Sequence, residues 1–499
     1  MRATECVEAA FPARACGITS SIRIAGMLGM LLSFGVAHAD LGDPTLYTLD
    51  PNSPFSALEI ASAQANQAVY NALSAKCAVS CSAADRLVLL DVTKLVDTAN
   101  ALLGKGPTGL SLGLDITGLR VALRWTAATE VAAIGSINTK FASNQLAGLA
   151  SRLSALRWGA GGVANLMAAP GGADAALMAA AMQEGGGGAS GNSSGIGQPL
   201  SVYYNEAYDY GTKSPTDLED AFAFDGREHT LGADYRFSRQ FVAGAVLGFS
   251  TKRVDFNSDL SVADGGIRAS GYSGLLYGMF EGQNFYVSLS GGYQRLSYDI
   301  TRRITYASFN PAVSGVDTTA LSNTASNALL SSLNVGYNLH RGSWALEPFA
   351  IAAYKDIRVD SFEESAHQTS NANAPTGNGV AISPQSIRSF VLSAGLKIQY
   401  IWTSRLGVVV PYLNGQYNNE LGDKSRLYTA TYIVSTADVG PLPAFVFATD
   451  RSPSHYFTVA GGFSMVLPHG IQGFVQYGRL LDYTNYTDTV ISGGVRIEF

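Results

Sequence analysis

Apolar and polar residues alternate with a period of two through the C-terminal part of the chain, 199–499. The final segment, ISGGVRIEF, places Val495, Ile497 and Phe499 on one face and Arg496 on the other. Successive side chains of a β-strand point to opposite faces, so the pattern indicates strands with one apolar and one polar side. Strands that cross an outer membrane need about 9–11 residues, and the alternating segments are long enough.

Twelve such strands are predicted, and the connections between them alternate in length. The strands begin near Leu200, Glu228, Gln240, Gly266, Gln283, Ala328, Ser343, Arg388, Arg405, Ser454, Gly470 and Tyr486. Tight turns alternate with long polar connections at 212–227, 255–265, 299–324, 358–387 and 420–453. Short periplasmic turns, long external loops and an even strand number are typical of outer-membrane barrels. The sequence therefore predicts an all-β transmembrane antiparallel barrel of about 12 strands, which starts and ends in the periplasm.

A soluble β-sandwich and a soluble barrel with an apolar interior are the alternatives, because both also alternate apolar and polar residues. Connections of strictly alternating length disfavour a sandwich. In a soluble barrel, Phe499 would be buried and Arg496 and Glu498 would be exposed. The residue pattern alone is compatible with a membrane barrel and with a soluble barrel, so these two alternatives stay open at this point.

The region before the barrel, 40–184, is rich in Ala and Leu at helical spacing. The helical pattern is clearest in the segments 55–76, 84–103 and 141–160. Residues 109–140 are ambiguous. The last helix carries one narrow stripe of leucines, formed by Leu146, Leu149, Leu153 and Leu156. An α-helical N-terminal region is therefore predicted, joined to the barrel by a Gly/Ser-rich linker at 185–198.

The first 39 residues are predicted to be a signal peptide. Arg14 and Arg23 precede the apolar run 24–37, and an Ala-His-Ala sequence ending at Ala39 matches the pattern that signal peptidase reads. Cleavage after Ala39 would leave Asp40 as the first residue of the mature chain. The apolar run is short for a transmembrane helix, so we expect export without a helical anchor.

Composition argues against several function classes. Charged residues make up 14% of the chain, below the roughly 25% that is usual for soluble domains. The net charge of −6 and the lack of a long basic run argue against nucleic acid as a partner. A G-x-S-x-G motif is absent and the histidines are scattered, so neither catalysis nor a cofactor is predicted.

Two cysteines, Cys77 and Cys81, lie outside the predicted signal peptide. In an oxidising periplasm we expect them to form a disulfide between two helices. A metal site is the alternative for a C-x3-C pair. The nearest downstream histidine is His229, which disfavours that alternative.

Two segments of the barrel resemble a known family. Residues 224–256 resemble the second and third strands of the autotransporter β-domain family, and 461–499 resemble its final three strands. Phe499, with Ile497 and Val495 on the same face, matches the aromatic C-terminal assembly signal of outer-membrane proteins. The helix at 145–160 resembles the linker helix that precedes such barrels. The resemblance covers about 141–499 and does not extend to 40–140.

The resemblance implies a monomeric translocator in outer-membrane lipids, assembled by the barrel-assembly machinery with periplasmic chaperones. It would carry its own N-terminal region to the surface of a Gram-negative cell. A barrel of about 12 strands should hold about one helix. The candidate lumen residues are Leu149, Arg152, Leu153, Leu156 and Arg157. The leucine stripe suits contact with other helices better than a wet lumen, and 171–184 is a rival lumen segment.

The chain departs from the family in two respects. Some members cleave their passenger between paired Asn residues, but no such pair occurs in 141–184, so we expect the N-terminal region to stay attached. That region is also short and helical, whereas most passengers are long β-solenoids. Two other functions stay open: a porin-like channel whose helical region is periplasmic or plugs the lumen, and a barrel-embedded hydrolase.

Overall fold

The computed structural model describes residues 40–158, 200–404, 407–422, 425–434, 442–467 and 471–498. Several residues to which the sequence assigns a role lie outside this description: Ala39 with the rest of the signal peptide, the segment 171–184, the linker at 185–198, and Phe499.

Four α-helices precede the barrel in the described residues. They are α1 (Ala57–Cys77), α2 (Ala83–Leu102), α3 (Ile116–Thr126) and α4 (Ala132–Trp158). Capping boxes begin α1, with Ser56 and Glu59, and α2, with Ser82 and Asp85. A disulfide between Cys77 and Cys81 spans the turn between these two helices. None of the described helices is long and apolar enough to cross a membrane.

The last helix begins earlier than the sequence predicts. The leucine stripe suggested a helix at 141–160, whereas α4 starts at Ala132 and continues to Trp158. The first turns of α4 have apolar and small residues on several sides, so they show no single stripe. Residues 109–140, which were ambiguous, contain α3 and the start of α4.

Twelve antiparallel strands close into a barrel, as predicted. They are β1 (Leu200–Lys213), β2 (Phe222–Arg236), β3 (Phe241–Phe256), β4 (Asp264–Glu281), β5 (Phe285–Tyr306), β6 (Val316–Tyr337), β7 (Trp344–Val359), β8 (Gln385–Tyr400), β9 (Gly407–Glu420), β10 (His455–Val466), β11 (Ile471–Leu481) and β12 (Tyr486–Glu498). Neighbours in the chain pair with each other, and β1 pairs with β12 from Ser201↔Glu498 to Lys213↔Tyr486. Every strand therefore has two partners, and no edge is left open.

Two strands begin at least six residues earlier than the sequence predicts. β2 begins at Phe222 rather than near Glu228, and β6 begins at Val316 rather than near Ala328. The connections expected at 212–227 and 299–324 are therefore partly strand. The outward positions of these extensions are mostly polar, so the alternation of apolar and polar residues is weaker there.

The long connections carry structure of their own. Four short strands form a second sheet there: Phe362–Glu363, Val380–Ile382, Leu427–Tyr432 and Phe445–Ala448. Residues 40–131, which we call the cap, pack against these loops at the end of the barrel opposite the short turns. Asn66 of α1 accepts a 2.8 Å hydrogen bond from the Tyr432 hydroxyl, and Asn310 donates a 2.9 Å bond to the Ser111 carbonyl.

Two buried apolar clusters join the cap to the barrel. One contains Leu58, Val69, Leu73, Val88 and Val92 of the cap together with Phe362, Val380, Ile382, Tyr428, Tyr432, Phe445 and Phe447 of the loop sheet. The other contains Leu95, Leu119 and Leu123 together with Ile304, Tyr306 and Val316 of the β5–β6 hairpin. Burying one large apolar side chain stabilises a fold by about 1.5–3 kcal/mol. Because each cluster contains residues from both sides, the cap and the long-loop end of the barrel share a hydrophobic core.

Candidate functional site in the barrel lumen

Helix α4 runs through the barrel lumen from the long-loop end to the short-turn end. Near its start, Asn138 accepts a 2.7 Å hydrogen bond from the Ser326 hydroxyl on β6. Further along, Lys355 of β7 donates a 2.8 Å bond to the Ser143 hydroxyl. In its last turns, Lys397 of β8 donates a 2.6 Å bond to the hydroxyl of Ser154.

The opposite wall of the lumen holds α4 through charges. Lys140 forms an ion pair with Asp488 on β12, and the Gln145 amide donates to Glu228 on β2. Glu228 and Asp488 occupy inward positions of the alternating strand pattern. Because these acids are buried, each needs a hydrogen-bonding or cationic partner, and α4 supplies it.

Arg152 forms the most extensive contact between α4 and the barrel. Its guanidinium pairs with Asp234 on β2 and donates a 3.0 Å bond to the Ser201 hydroxyl on β1. It also lies 4.4 Å from the centroid of the Tyr203 ring. The Tyr277 hydroxyl donates a 3.0 Å bond to Asp234. Both members of this ion pair are at least 96% buried, so neither can be removed without leaving an unpaired charge.

The leucine stripe also faces the lumen wall. Leu146, Leu149 and Leu153 are buried in the same apolar cluster as Val246, Leu275 and Met279 of β3 and β4. The expectation that this stripe suits other helices better than the lumen was therefore wrong. The inner wall of the barrel carries an apolar patch at this position, so the lumen is not lined by polar residues throughout. The side chains of Leu156 and Arg157 lie outside the described residues.

Helix α4 leaves part of the lumen empty. A cavity of about 570 Å³ remains between small residues of α4 and the barrel wall, mainly strands β7–β12. Its barrel wall is rich in amides, which include Asn414, Gln416, Asn418 and Gln476. A Cβ at Gly148 would meet no atom within 4 Å, so the helix is narrow on this side. The described lining reaches from Lys397 near the short turns to Arg426 among the long loops.

A buried polar cluster lies where the cap meets the barrel. Arg302 of β5 pairs with Glu364 at 2.7 Å and donates a 3.2 Å bond to the Trp125 carbonyl at the end of α3. Asp220, in the β1–β2 loop, accepts hydrogen bonds from Arg124 at 3.2 Å and from Thr129. One barrel arginine therefore binds a loop and the cap at the same time.

Burial affects the acids of this junction. Burial raises the pKa of Glu130 to about 8, although Arg302 nearby opposes the shift. Burial also raises the pKa of Asp220. Burial raises the pKa of Asp91 of α2 as well, and the Asp91 carboxylate accepts a 2.9 Å hydrogen bond from the amide of Asn378. The docked cap therefore favours the protonated form of these acids.

The C-terminal strand has the two-sided character that the sequence suggests. Val495 and Ile497 are exposed on the outer surface. Arg496 is buried and donates bonds of 3.1 Å to Gln472 and 3.2 Å to Ser201 in the lumen. Asp40 is the first described residue.

The sequence did not identify most residues that hold α4 and the cap. Asp234 and Arg302 were not singled out, although both stand at inward positions of strands. A charged residue on the inward face of a strand was the available signal. The pairing with α3 and α4 had no sequence signal, because the partners are far apart in the chain.

No chemical centre is apparent in the described residues. They contain no group of three or more His, Cys, Asp or Glu side chains that could hold a metal ion. His229 and His455 each share a hydrogen bond with a tyrosine hydroxyl, Tyr204 at 2.8 Å and Tyr417 at 2.6 Å.

Comparison with known families gives one match. The model of the autotransporter β-domain family matches residues 205–478. No curated protein matches the chain.

Solved structures with a similar fold include three autotransporter barrels. The translocator domain of NalP from Neisseria meningitidis has a TM-score of 0.46 and 16% identity, with 65% of this chain and 94% of that chain covered. The β domain of the Bordetella autotransporter BrkA has a TM-score of 0.39 and 14% identity, with coverage of 60% and 100%. The transport unit of AIDA-I from Escherichia coli has a TM-score of 0.36 and 12% identity, with coverage of 62% and 92%.

Proposed function

The chain belongs to the autotransporter β-domain family, and on this premise we propose that it displays its own short N-terminal region at the cell surface without cleavage. The barrel would be the translocator, the cap would be the displayed domain, and α4 would remain in the lumen. Family membership places the barrel in the outer membrane of a Gram-negative cell, where the general barrel-assembly machinery inserts it.

The direction of α4 is the observation that carries this proposal. The helix starts beside the long loops and ends near Ser201, at the short-turn end where β1 begins. Long loops are external and short turns are periplasmic in barrels of this kind. A chain with its cap outside, its helix in the lumen and its barrel last has the order that surface display requires.

The shared core supports retention of the cap. Release would expose the apolar clusters of the cap and of the loop sheet together. It would also break the hydrogen bond from Arg302 to the Trp125 carbonyl and the hydrogen bond from Asn378 to Asp91. The cap is therefore better described as a domain that stays docked on its own barrel than as a passenger that is released.

An epitope tag placed directly after Asp40 tests the proposal. We expect the tag and the barrel to migrate as one polypeptide in the outer-membrane fraction. A tag found on a shorter fragment, or in the medium, would contradict attachment. A tag inserted in the β3–β4 loop is the matched control, because that loop belongs to the barrel whether or not the cap is released.

A second candidate function is the passage of small polar solutes, and the cavity beside α4 favours it. The barrel wall of the cavity carries amide side chains, and its described lining extends from Lys397 near the short turns to Arg426 among the long loops. Single-channel conductance of the full chain tests this function. Gly148→Trp should lower the conductance because its side chain would enter the cavity. Zero conductance in both proteins would rule out the channel without affecting the display proposal.

A further inference from the structure

Three exposed arginines lie close together on the outer surface of strands β5–β8. Arg295 of β5 stands opposite Asn327 of β6, and Asn327 stands opposite Arg358 of β7. Arg388 of β8 stands opposite Asp356, two residues from Arg358. The side chains of Arg358 and Arg388 are 72% and 67% exposed. We call Arg295, Arg358 and Arg388 the arginine row.

The arginine row borders the apolar belt of the barrel on its long-loop side. Tyr293 and Phe390 are two residues from Arg295 and Arg388, and both are exposed. Leu329 and Leu392, nearer the short turns, are 63% and 41% exposed. Aromatic residues mark the edges of the lipid-facing band of an outer-membrane barrel. The guanidinium groups therefore lie at the level of lipid headgroups.

The protein provides few acceptors for these guanidinium groups. Asp356 is 3.8 Å from both Arg358 and Arg388, which is too long for a hydrogen bond. Among the described residues, Arg295 donates one hydrogen bond, of 3.3 Å, to Asn327. Elsewhere on this surface, Arg253 is bonded to Asp255 at 2.9 Å. In the part of the chain that the structure describes, the arginine row combines three guanidinium groups with one carboxylate within ion-pair distance. The row therefore carries a net positive charge, and some of its N–H groups remain available to a ligand.

We propose that the arginine row binds the phosphates of an outer-leaflet lipid whose headgroup carries two phosphates, namely lipid A. Arginine binds phosphate oxygens in a bidentate manner. Adjacent strands lie about 4.8 Å apart, so Arg295 and Arg358 are separated by roughly 10 Å. That span suits two phosphates better than one. The proposal rests on the orientation given above, with the long loops outside.

Native mass spectrometry of the full chain in detergent, titrated with bis-phosphorylated lipid A, tests the proposal. We expect the triple variant Arg295→Gln, Arg358→Gln, Arg388→Gln to bind this lipid at least about tenfold more weakly, because charge-assisted hydrogen bonds are lost. Arg253→Gln is the matched control, since that arginine is already bonded to Asp255. It should bind as the parent chain does.

Two further probes complete the test. Lipid A without phosphates and phosphatidylglycerol, which has one phosphate, should each bind the parent chain more weakly than bis-phosphorylated lipid A. Equal binding of either probe, or unchanged binding by the triple variant, would overturn the proposal. Heat-modifiable migration on a gel verifies that the variant barrel is folded. Binding in detergent does not depend on orientation in the cell, so failure here is distinguishable from failure of the display proposal.

Discussion

Arg302 and Glu364 form an ion pair that is closed to solvent, with 2.7 Å between a guanidinium nitrogen and a carboxylate oxygen. Arg302 belongs to strand β5, and Glu364 belongs to the β7–β8 loop. The same guanidinium donates to the Trp125 carbonyl of α3, and Glu364 also accepts a 3.1 Å bond from the Val380 backbone amide. This pair connects the barrel, the loop sheet and the cap at one point.

Removal of the Glu364 carboxylate should open the cap. In Glu364→Ala, Arg302 would remain buried without its counter-ion, which costs about 3–5 kcal/mol. Hydrogen exchange of the α3 amides measures the free energy of opening. The control is Asp255→Ala, which breaks the exposed pair with Arg253 and should change this free energy by less than about 1 kcal/mol. Equal protection of α3 in both variants would contradict the role of the pair.

Arg152 should anchor α4 in the lumen through Asp234. Arg152→Ala leaves a buried carboxylate without its cation, at a cost of about 3–5 kcal/mol. The temperature of the heat-modifiable transition on a gel should therefore fall. Adding Asp234→Asn should recover part of the loss, because the second change removes the unpaired charge. A double variant no more stable than Arg152→Ala would show that the ion pair is not the cause.

Docking of the cap should weaken as the pH rises. The pKa of Glu130 is raised to about 8 in the docked state, whereas an exposed Glu has a pKa near 4.3. Between these values the docked state holds a proton that the open state has released, so stability falls with pH. The burial-raised pKa of Asp220 acts in the same direction.

Hydrogen exchange of the α3 amides, followed from pH 5 to pH 9 and corrected for the intrinsic rate, measures this dependence. Glu130→Gln keeps a neutral side chain of similar shape and should flatten the profile. Docking that strengthens with pH in the parent chain would contradict the assignment.

The sequence predicted the barrel well because lipid imposes the same rule on every strand. Residues such as Val495 and Ile497 are exposed on the outer surface, and Arg496 between them is buried on the lumen side. The alternation of apolar and polar residues is weaker at the long-loop end of β6, and the predicted start of β6 near Ala328 was therefore wrong. The start of α4 was missed for a different reason, because its first turns carry apolar and small residues on several sides and therefore show no single apolar stripe.

The shared core of cap and loops could not be predicted from the sequence. Asn66 and Tyr432, which share a hydrogen bond, are 366 residues apart. Neither the helix pattern of α1 nor the short polar-flanked loop strand at Leu427–Tyr432 indicates the other as its partner. Asp234 and Arg302 could be recognised as charged residues on inward faces, but their helical partners could not.

Labelling of single cysteines on intact cells tests surface display of the cap most directly. Three exposed positions are suitable for labelling: Ala101→Cys in the cap, Ser258→Cys in the long β3–β4 loop, and Ser238→Cys in the short β2–β3 turn. The native Cys77–Cys81 disulfide should leave the parent chain unreactive toward a membrane-impermeant maleimide.

We expect Ala101→Cys and Ser258→Cys to be labelled on intact cells, and Ser238→Cys only after lysis. If Ala101→Cys is labelled only after lysis while Ser258→Cys is labelled on intact cells, the cap is not at the surface and the proposed function is wrong.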